Sequence, residues 1–224
     1  MYCAMMTRPD VAHAVAELSK HLTNPGPEQL KDADQLLLYL YETRHLGIQI
    51  GGEHQEAHLM IALDAAFADD PESRKSTQGS IITLFGALVI WKSGLQATVT
   101  TSTTEAELLA LEYTAKKSLA LQRLFKELAL DLGEPLRIFC DNQQTIRLVT
   151  NENERLKTRL KHVDIQNMWL KQEYNKGSFQ VTYLPTDQMP ADGLTKTLNR
   201  QAFEHFRAML NLKSSIQLDE STKP

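Results

Sequence analysis

An α/β domain is what the 224-residue sequence predicts: one mixed, five-stranded sheet flanked by helices, with a short helical extension at its N-terminus. Three observations predict it. From residue 58 the apolar patterning reads β-β-β-α-β-α-α-β-α, with antiparallel strands first and then strands joined through helices, an order that builds one sheet covered on both faces. The first ~50 residues instead repeat their apolar positions at helical spacing. A 42% hydrophobic and 23% charged composition is that of a chain able to bury a core.

Taken in order, residues 8–22 place Val11, Val15, Leu18 and Leu22 on one helical stripe, with Pro9 acceptable in a first turn. "TNPGPEQ" is a turn by composition. Residues 28–42 form a second amphipathic helix through Leu30, Ala33, Leu36, Leu37 and Leu40, and "GIQIGG" is a short strand ending in glycines. "GGEHQEA" marks a boundary, so a helical unit over 1–52 is expected to precede a domain over 58–212, with a disordered tail over 213–224. Within the domain, "HLMIALDAAF" is a strand and 69–76 a charged loop. "GSIITLFGALVIWKS" is a hairpin broken at Gly86. A long helix follows from "STTEAELLAL", then strand 136–140, helix 142–150 and a cationic stretch over 151–161. A helix from about 162 to 174, the alternating strand "SFQVTYLPT" and a helix over 199–212 complete the order.

The formal net charge of −4 removes any global electrostatic case for nucleic acid, so such a partner would need a local basic patch. Cys3 and Cys140 are the two cysteines, too few for a disulfide framework, and a reducing compartment fits. No apolar run approaches ~18 residues, and "MYCAMMTRPD" lacks the layout of a signal peptide. A soluble intracellular chain with no membrane contact is expected.

Four acids fall at element boundaries. Asp64 lies toward the end of the first strand of the domain and Asp141 at the end of the fourth. Asp192 follows the last strand, and Glu107 lies in the first turns of the long helix. In open α/β sheets ligands bind outside the carboxyl ends of parallel strands. Converging there, the four would repel and raise each other's pKa unless cations bound between them. Oxygen ligands alone favour Mg²⁺, with Mn²⁺ as a substitute, and two such ions serve phosphodiester cleavage. Three of the four also have a plainer reading. Asp141 and Asp192 are good helix-cap or turn residues, and Glu107 taken alone is a solvated helix acid.

The stretches "SRKSTQGSIITLFGALVIWKSGLQATVTTSTTEAELLAL", "IFCDNQQTI", "RLKTRLKHVDIQ" and "VTYLPTDQMPADGLTK" together resemble the ribonuclease H (RNase H) domain of copia-type retrotransposon Pol polyproteins. The opening "TRPDVAHAVAELSKHLTNPG" is similar to the end of the reverse transcriptase that precedes it. The resemblance implies an RNase H-like fold and Mg²⁺-dependent endonucleolytic hydrolysis of the RNA strand of RNA–DNA hybrids. It implies Asp64, Glu107, Asp141 and Asp192 as catalytic, metal-binding acids for two ions. Glu105 then points away, because a helix turns ~200° over two residues. Asn142 and Gln143 are candidates for the sugar edge, though Asn142 is equally a helix-start residue. Arg74, Lys75, Ser76, Thr77, Lys161 and His162 are candidates for phosphate contacts, with Lys157 and Arg159 beside them, since hybrids are read through phosphates and 2′-hydroxyls. Asp69, Asp70 and Asp187 are read as surface loop acids, and Trp91 as core.

There are departures from the family pattern. Where the family has "SDADWA", this chain has Leu63, Ala66 and Phe67 around the retained Asp64. No histidine lies between Pro185 and Pro190, where cellular relatives carry one. The polymerase acids fall upstream of Met1 in such polyproteins, so no polymerisation is expected. The chain reads as a polyprotein fragment or a truncated, domesticated gene, in the cytoplasm, the nucleus or a virus-like particle. The rest of Pol, or a reverse transcriptase, is the expected partner beside the hybrid. The alternative is a catalytically silent remnant that binds nucleic acid or protein. A proofreading exonuclease is disfavoured, because Asp64-Ala65-Ala66 lacks the paired acid such a site needs.

Overall fold

The computed structural model describes residues 1–50, 59–130 and 135–215. The boundary expected at 51–57 and the expected tail from 216 onward lie outside the described residues. The N-terminal part contains α1 (Tyr2–Met6), α2 (Ala12–Ser19), α3 (Pro27–Glu42) and β1 (Leu46–Ile48). Residues 59–215 contain β2 (Leu59–Ala66), β3 (Thr77–Leu84), β4 (Ala87–Leu95), α4 (Thr103–Glu127), β5 (Arg137–Cys140), α5 (Gln143–Thr150), α6 (Lys161–Asn175), β6 (Gln180–Tyr183), α7 (Arg200–Met209) and β7 (Leu212–Ser214).

The main sheet has the order β4-β3-β2-β5-β6. β2, β3 and β4 pair antiparallel, whereas β2–β5 and β5–β6 are parallel. This is the predicted mixed five-stranded sheet. The β3–β4 turn is Phe85-Gly86, with both residues at positive φ, the turn whose twist suits a two-residue hairpin.

Alternation along β2 and β3 divides the core between two faces. Ile61, Leu63 and Ile82 join Leu108, Leu111, Ile138 and Phe179 beneath α4 and α6. Ile81 turns the other way, to Leu88, Leu194, Phe206 and Leu210, and Trp91 packs against that cluster. Ala62 meets Met189 and Ala191, so the segment carrying Asp192 is seated on the sheet.

Three expected elements differ. The first helix is shorter than 8–22: Pro9–Val11 is a 3₁₀ turn, and α2 ends at Ser19. This leaves Leu22 exposed at the approach to the Asn24-Pro25-Gly26 turn. The last helix stops at Met209, because Asn211 adopts φ 54°, the left-handed conformation that ends helices. The chain then forms β7, which pairs antiparallel with β1, so residues 213 and 214 are strand rather than tail. A short strand at the far end of the sequence is invisible until its partner is known. α1 was not anticipated either.

Candidate active site

The local sequence explains how each acid is presented. Asp64 is in β2, opposite Gly79 of β3. Asp141 follows the last residue of β5. Capping of α5 falls to its neighbour: the Asn142 side chain accepts from the Thr145 N–H at 2.9 Å. Asp141 is thereby left free to face the site. Glu107 lies in the second turn of α4, whose N-cap is Ser102. Asp192 opens a 3₁₀ turn, Asp192–Leu194.

These four acids come together. Burial holds the Glu107 carboxyl well above its ordinary value, and the charges of Asp64 and Asp141 add to that. Burial likewise raises Asp64; Lys196 and Thr195 oppose the shift, while Asp192 and Asp141 reinforce it. Glu107 Oε1 accepts from the Ala65 N–H at 3.2 Å. Its other oxygen, Oε2, is buried with no hydrogen-bond partner among the described residues. A carboxylate oxygen of Glu107, one of Asp141 and the Cys140 sulfur lie within 4.8 Å of one another.

Two residues after Asp192 complete the cluster. The Thr195 hydroxyl donates to Asp64 Oδ2. Lys196 Nζ bonds Asp192 Oδ1 and stands 3.5 Å from Asp64 Oδ2. Burial lowers the Lys196 pKa, but Asp64, Asp192 and Asp141 outweigh it and hold the ammonium above its ordinary value. The Thr186 hydroxyl donates to Asp141 at 2.8 Å. Thr195 and Lys196 belong to "ADGLTK", where the local pattern by itself singles out only the acid. The available signal was their spacing, three and four residues after an acid in a helical turn.

Glu105 points away from the cluster: its carboxylate accepts from the Thr101 N–H at 2.6 Å and the Thr101 hydroxyl at 2.8 Å. Thr101, Lys157, Thr158 and Arg159 line one groove beside the α4 N-terminus. His162 lies close enough for its charge to act on Glu105. Lys161, His162, Gln143 and Arg74 are exposed, and Lys75 is half-buried.

Ser76 and Thr77 differ from expectation. Both are buried. Ser76 Oγ accepts from the Ala68 N–H and meets Thr100 Oγ1 at 3.1 Å. The Thr77 hydroxyl donates to Asp69 at 2.6 Å. Their side chains shape the loop after β2 rather than a contact surface. Asp70 is likewise no surface acid: it is buried, accepting from the Ser73 N–H at 2.8 Å and pairing with Lys20 at 3.2 Å.

No protein-family model matches the chain. It is 36% identical over 215 residues to the retrovirus-related Pol polyprotein from transposon TNT 1-94 of Nicotiana tabacum, covering 96% of this chain and 16% of that polyprotein. It is 32% identical over 206 residues to the Pol polyprotein from transposon RE1 of Arabidopsis thaliana, covering 92% of this chain and 14% of that one.

The chain belongs to the copia-type retrotransposon Pol polyproteins.

The chain spans 16% and 14% of the length of these two polyproteins. Among solved structures, LC11-RNase H1 in complex with an RNA/DNA hybrid aligns with TM-score 0.44 and 17% identity, over 61% of this chain and 92% of that one. The main sheet, in the order β4-β3-β2-β5-β6 with helices against it, is the mixed five-stranded sheet that the sequence patterning predicts. No helix among the described residues is long and apolar enough to cross a membrane.

Proposed function

We propose that this Pol segment hydrolyses the RNA strand of RNA–DNA hybrids, using two divalent ions, Mg²⁺ by preference, held by Asp64, Glu107, Asp141 and Asp192. One observation carries the reading: four carboxylates from four separate elements meet at one edge of the sheet, and a buried Glu107 oxygen there lacks a partner. Such an oxygen is costly to leave unpaired in a protein interior. The donor set fits a hard cation, because carboxylate oxygens dominate it. When bound, the ions lower the pKa of a water and stabilise the leaving oxygen of an in-line displacement.

The chain's own residues supply position and charge. β2 carries Asp64, the end of β5 presents Asp141, and α4 brings Glu107 in from beneath. Lys196 balances part of the negative charge at Asp64 and Asp192. Arg74, Lys75, Lys157, Arg159, Lys161 and His162 would offer phosphate contacts, and Asn142 and Gln143, which follow Asp141 in the chain, would serve the sugar edge. Binding through such cations weakens as salt rises.

The test is cleavage of a labelled hybrid by the purified chain with Mg²⁺, beside an Asp141→Asn control. Metal-dependent RNA-strand cleavage is expected, at least about 100-fold faster than in the variant, since even outer-shell partners of metal ligands carry 10–100-fold effects. Equal rates in the two proteins would reduce the segment to a silent binding module.

A further inference from the structure

We propose that Cys140, Glu107 and Asp141 form a binding site for a thiophilic divalent ion, Zn²⁺ or Cd²⁺, that shares two carboxylates with the proposed Mg²⁺ centre but adds a sulfur. The Cys140 Sγ and one carboxylate oxygen from each acid lie within 4.8 Å of one another. Cys140 is fully buried and Glu107 is 5% exposed, and Glu107 Oε2 has no hydrogen-bond partner among the described residues. The thiol makes one long contact, donating to the Asn142 carbonyl at 3.8 Å.

The strand ending accounts for this grouping. Along β5 the side chains alternate, and Cys140 shares with Ile138 the face that packs beneath α4, the helix carrying Glu107. Asp141 follows at once, where the strand gives way to α5. A soft and a hard donor are therefore adjacent in sequence and meet a second carboxylate from the covering helix.

Ligand chemistry then separates the two classes of ion. Mg²⁺ takes oxygen and has no use for sulfur. Zn²⁺ binds thiolate at ~2.3 Å and carboxylate oxygen at ~2.0–2.2 Å, so two ligands of one ion stand at most ~4.5 Å apart. The three donors must close by a few tenths of an ångström, within the range of a carboxylate rotation. Three protein ligands leave a fourth position for water, the count of an open zinc site. On binding, the Cys140 S–H proton passes to solvent and a sulfur–metal bond replaces it, with no change of oxidation state.

The regulatory consequence rests on the hydrolase reading. An ion held by Cys140 withdraws Glu107 and Asp141 from Mg²⁺, so low concentrations of Zn²⁺ or Cd²⁺ inhibit hybrid cleavage. The binding claim itself needs no substrate and no turnover.

Titration of the metal-free chain with Cd²⁺, followed by thiolate-to-metal charge-transfer absorbance, tests the claim. A Cys3→Ser background removes the exposed thiol and leaves Cys140 as the only sulfhydryl. A band saturating at one equivalent is expected there, lost in Cys140→Ala and weakened at least about tenfold in affinity by Glu107→Gln. Glu107→Gln leaves the thiol in place, so it keeps the claim testable if Cys140→Ala fails to fold. The absence of a band in folded Cys3→Ser protein overturns the site, and so does a band indifferent to Glu107→Gln. A chain that cleaves hybrid but shows no band refutes this inference alone. A band without cleavage refutes only the hydrolase reading.

Discussion

The division of labour between Asp141 and Asn142 shows how much depends on single positions. The plain reading of Asp141 was a helix cap, yet the cap is Asn142. Lys196 is the second decisive residue, because its ammonium occupies space between Asp64 and Asp192 that a divalent ion would neutralise. Lys196→Met is expected to lower the Tm of the metal-free protein by about 2–4 °C, the shift that ~1 kcal/mol gives in a chain of this size. Removing a competing cation should also tighten Mn²⁺ binding several-fold, and calorimetry of the two proteins measures both effects. A third residue gives a pH dependence. The side-chain and backbone groups of Ser73 hold the Asp70 carboxyl down to about 2, with Lys20 assisting against burial. A depressed carboxylate stabilises the fold above its ordinary pKa of 3.8, and that contribution is lost as pH falls through about 2. Urea midpoints of wild type and Asp70→Asn should therefore differ most above pH ~5 and converge toward pH ~2. A constant gap across that range would exclude the linkage.

At the scale of elements, the segment after β6 is held by close approach to the sheet rather than by pairing. A Cβ on Gly79 of β3 would stand 2.8 Å from the Ala191 carbonyl and 2.9 Å from both Leu194 Cβ and Thr195 Cγ2. Gly79 thus lets the backbone carrying Asp192 and Thr195 lie directly against β3, opposite Asp64. Gly79→Ala is expected to cost about 1–3 kcal/mol as an overpacking change. Its effect on cleavage should exceed that loss, because the displaced segment holds one of the four acids. Comparison of Tm with kcat in saturating Mg²⁺ separates the two effects. The Ser93 hydroxyl donates to the Leu194 carbonyl at 2.6 Å from the neighbouring strand, a second tie on the same segment.

For the molecule as a whole, the N-terminal part is joined to the sheet at several points. Trp91 Nε1 donates to the Ala4 carbonyl at 2.7 Å, Lys20 pairs with Asp70, β1 pairs with β7, and Tyr39 packs edge-on against Phe203 of α7. Ala12 joins Ile81 and Phe206 in one buried cluster. Deleting residues 1–50 is therefore expected to lower Tm by several degrees and to promote aggregation, as Trp91 and its neighbours become exposed. Thermal melts and size-exclusion profiles of the shortened and full chains test this. Unchanged behaviour would make the N-terminal part a passive appendage. The far side of α3 exposes Leu30, Leu37, Leu38 and Tyr41.

The sequence by itself determined the order of elements from β2 to α7, the five strands of the main sheet and the four acids at their boundaries. Those features are local: period-2 and period-3.6 patterning, turn residues and strand ends are written in neighbouring positions. Only the tertiary structure decided that Asp64, Glu107, Asp141 and Asp192 share one edge, that Thr195 and Lys196 join them, and that Ser76, Thr77 and Asp70 are committed inside the fold. It alone brought β7 back to β1. These outcomes depend on which distant segments pack together, and side-chain burial and charge pairing between such segments leave no periodic trace along the chain.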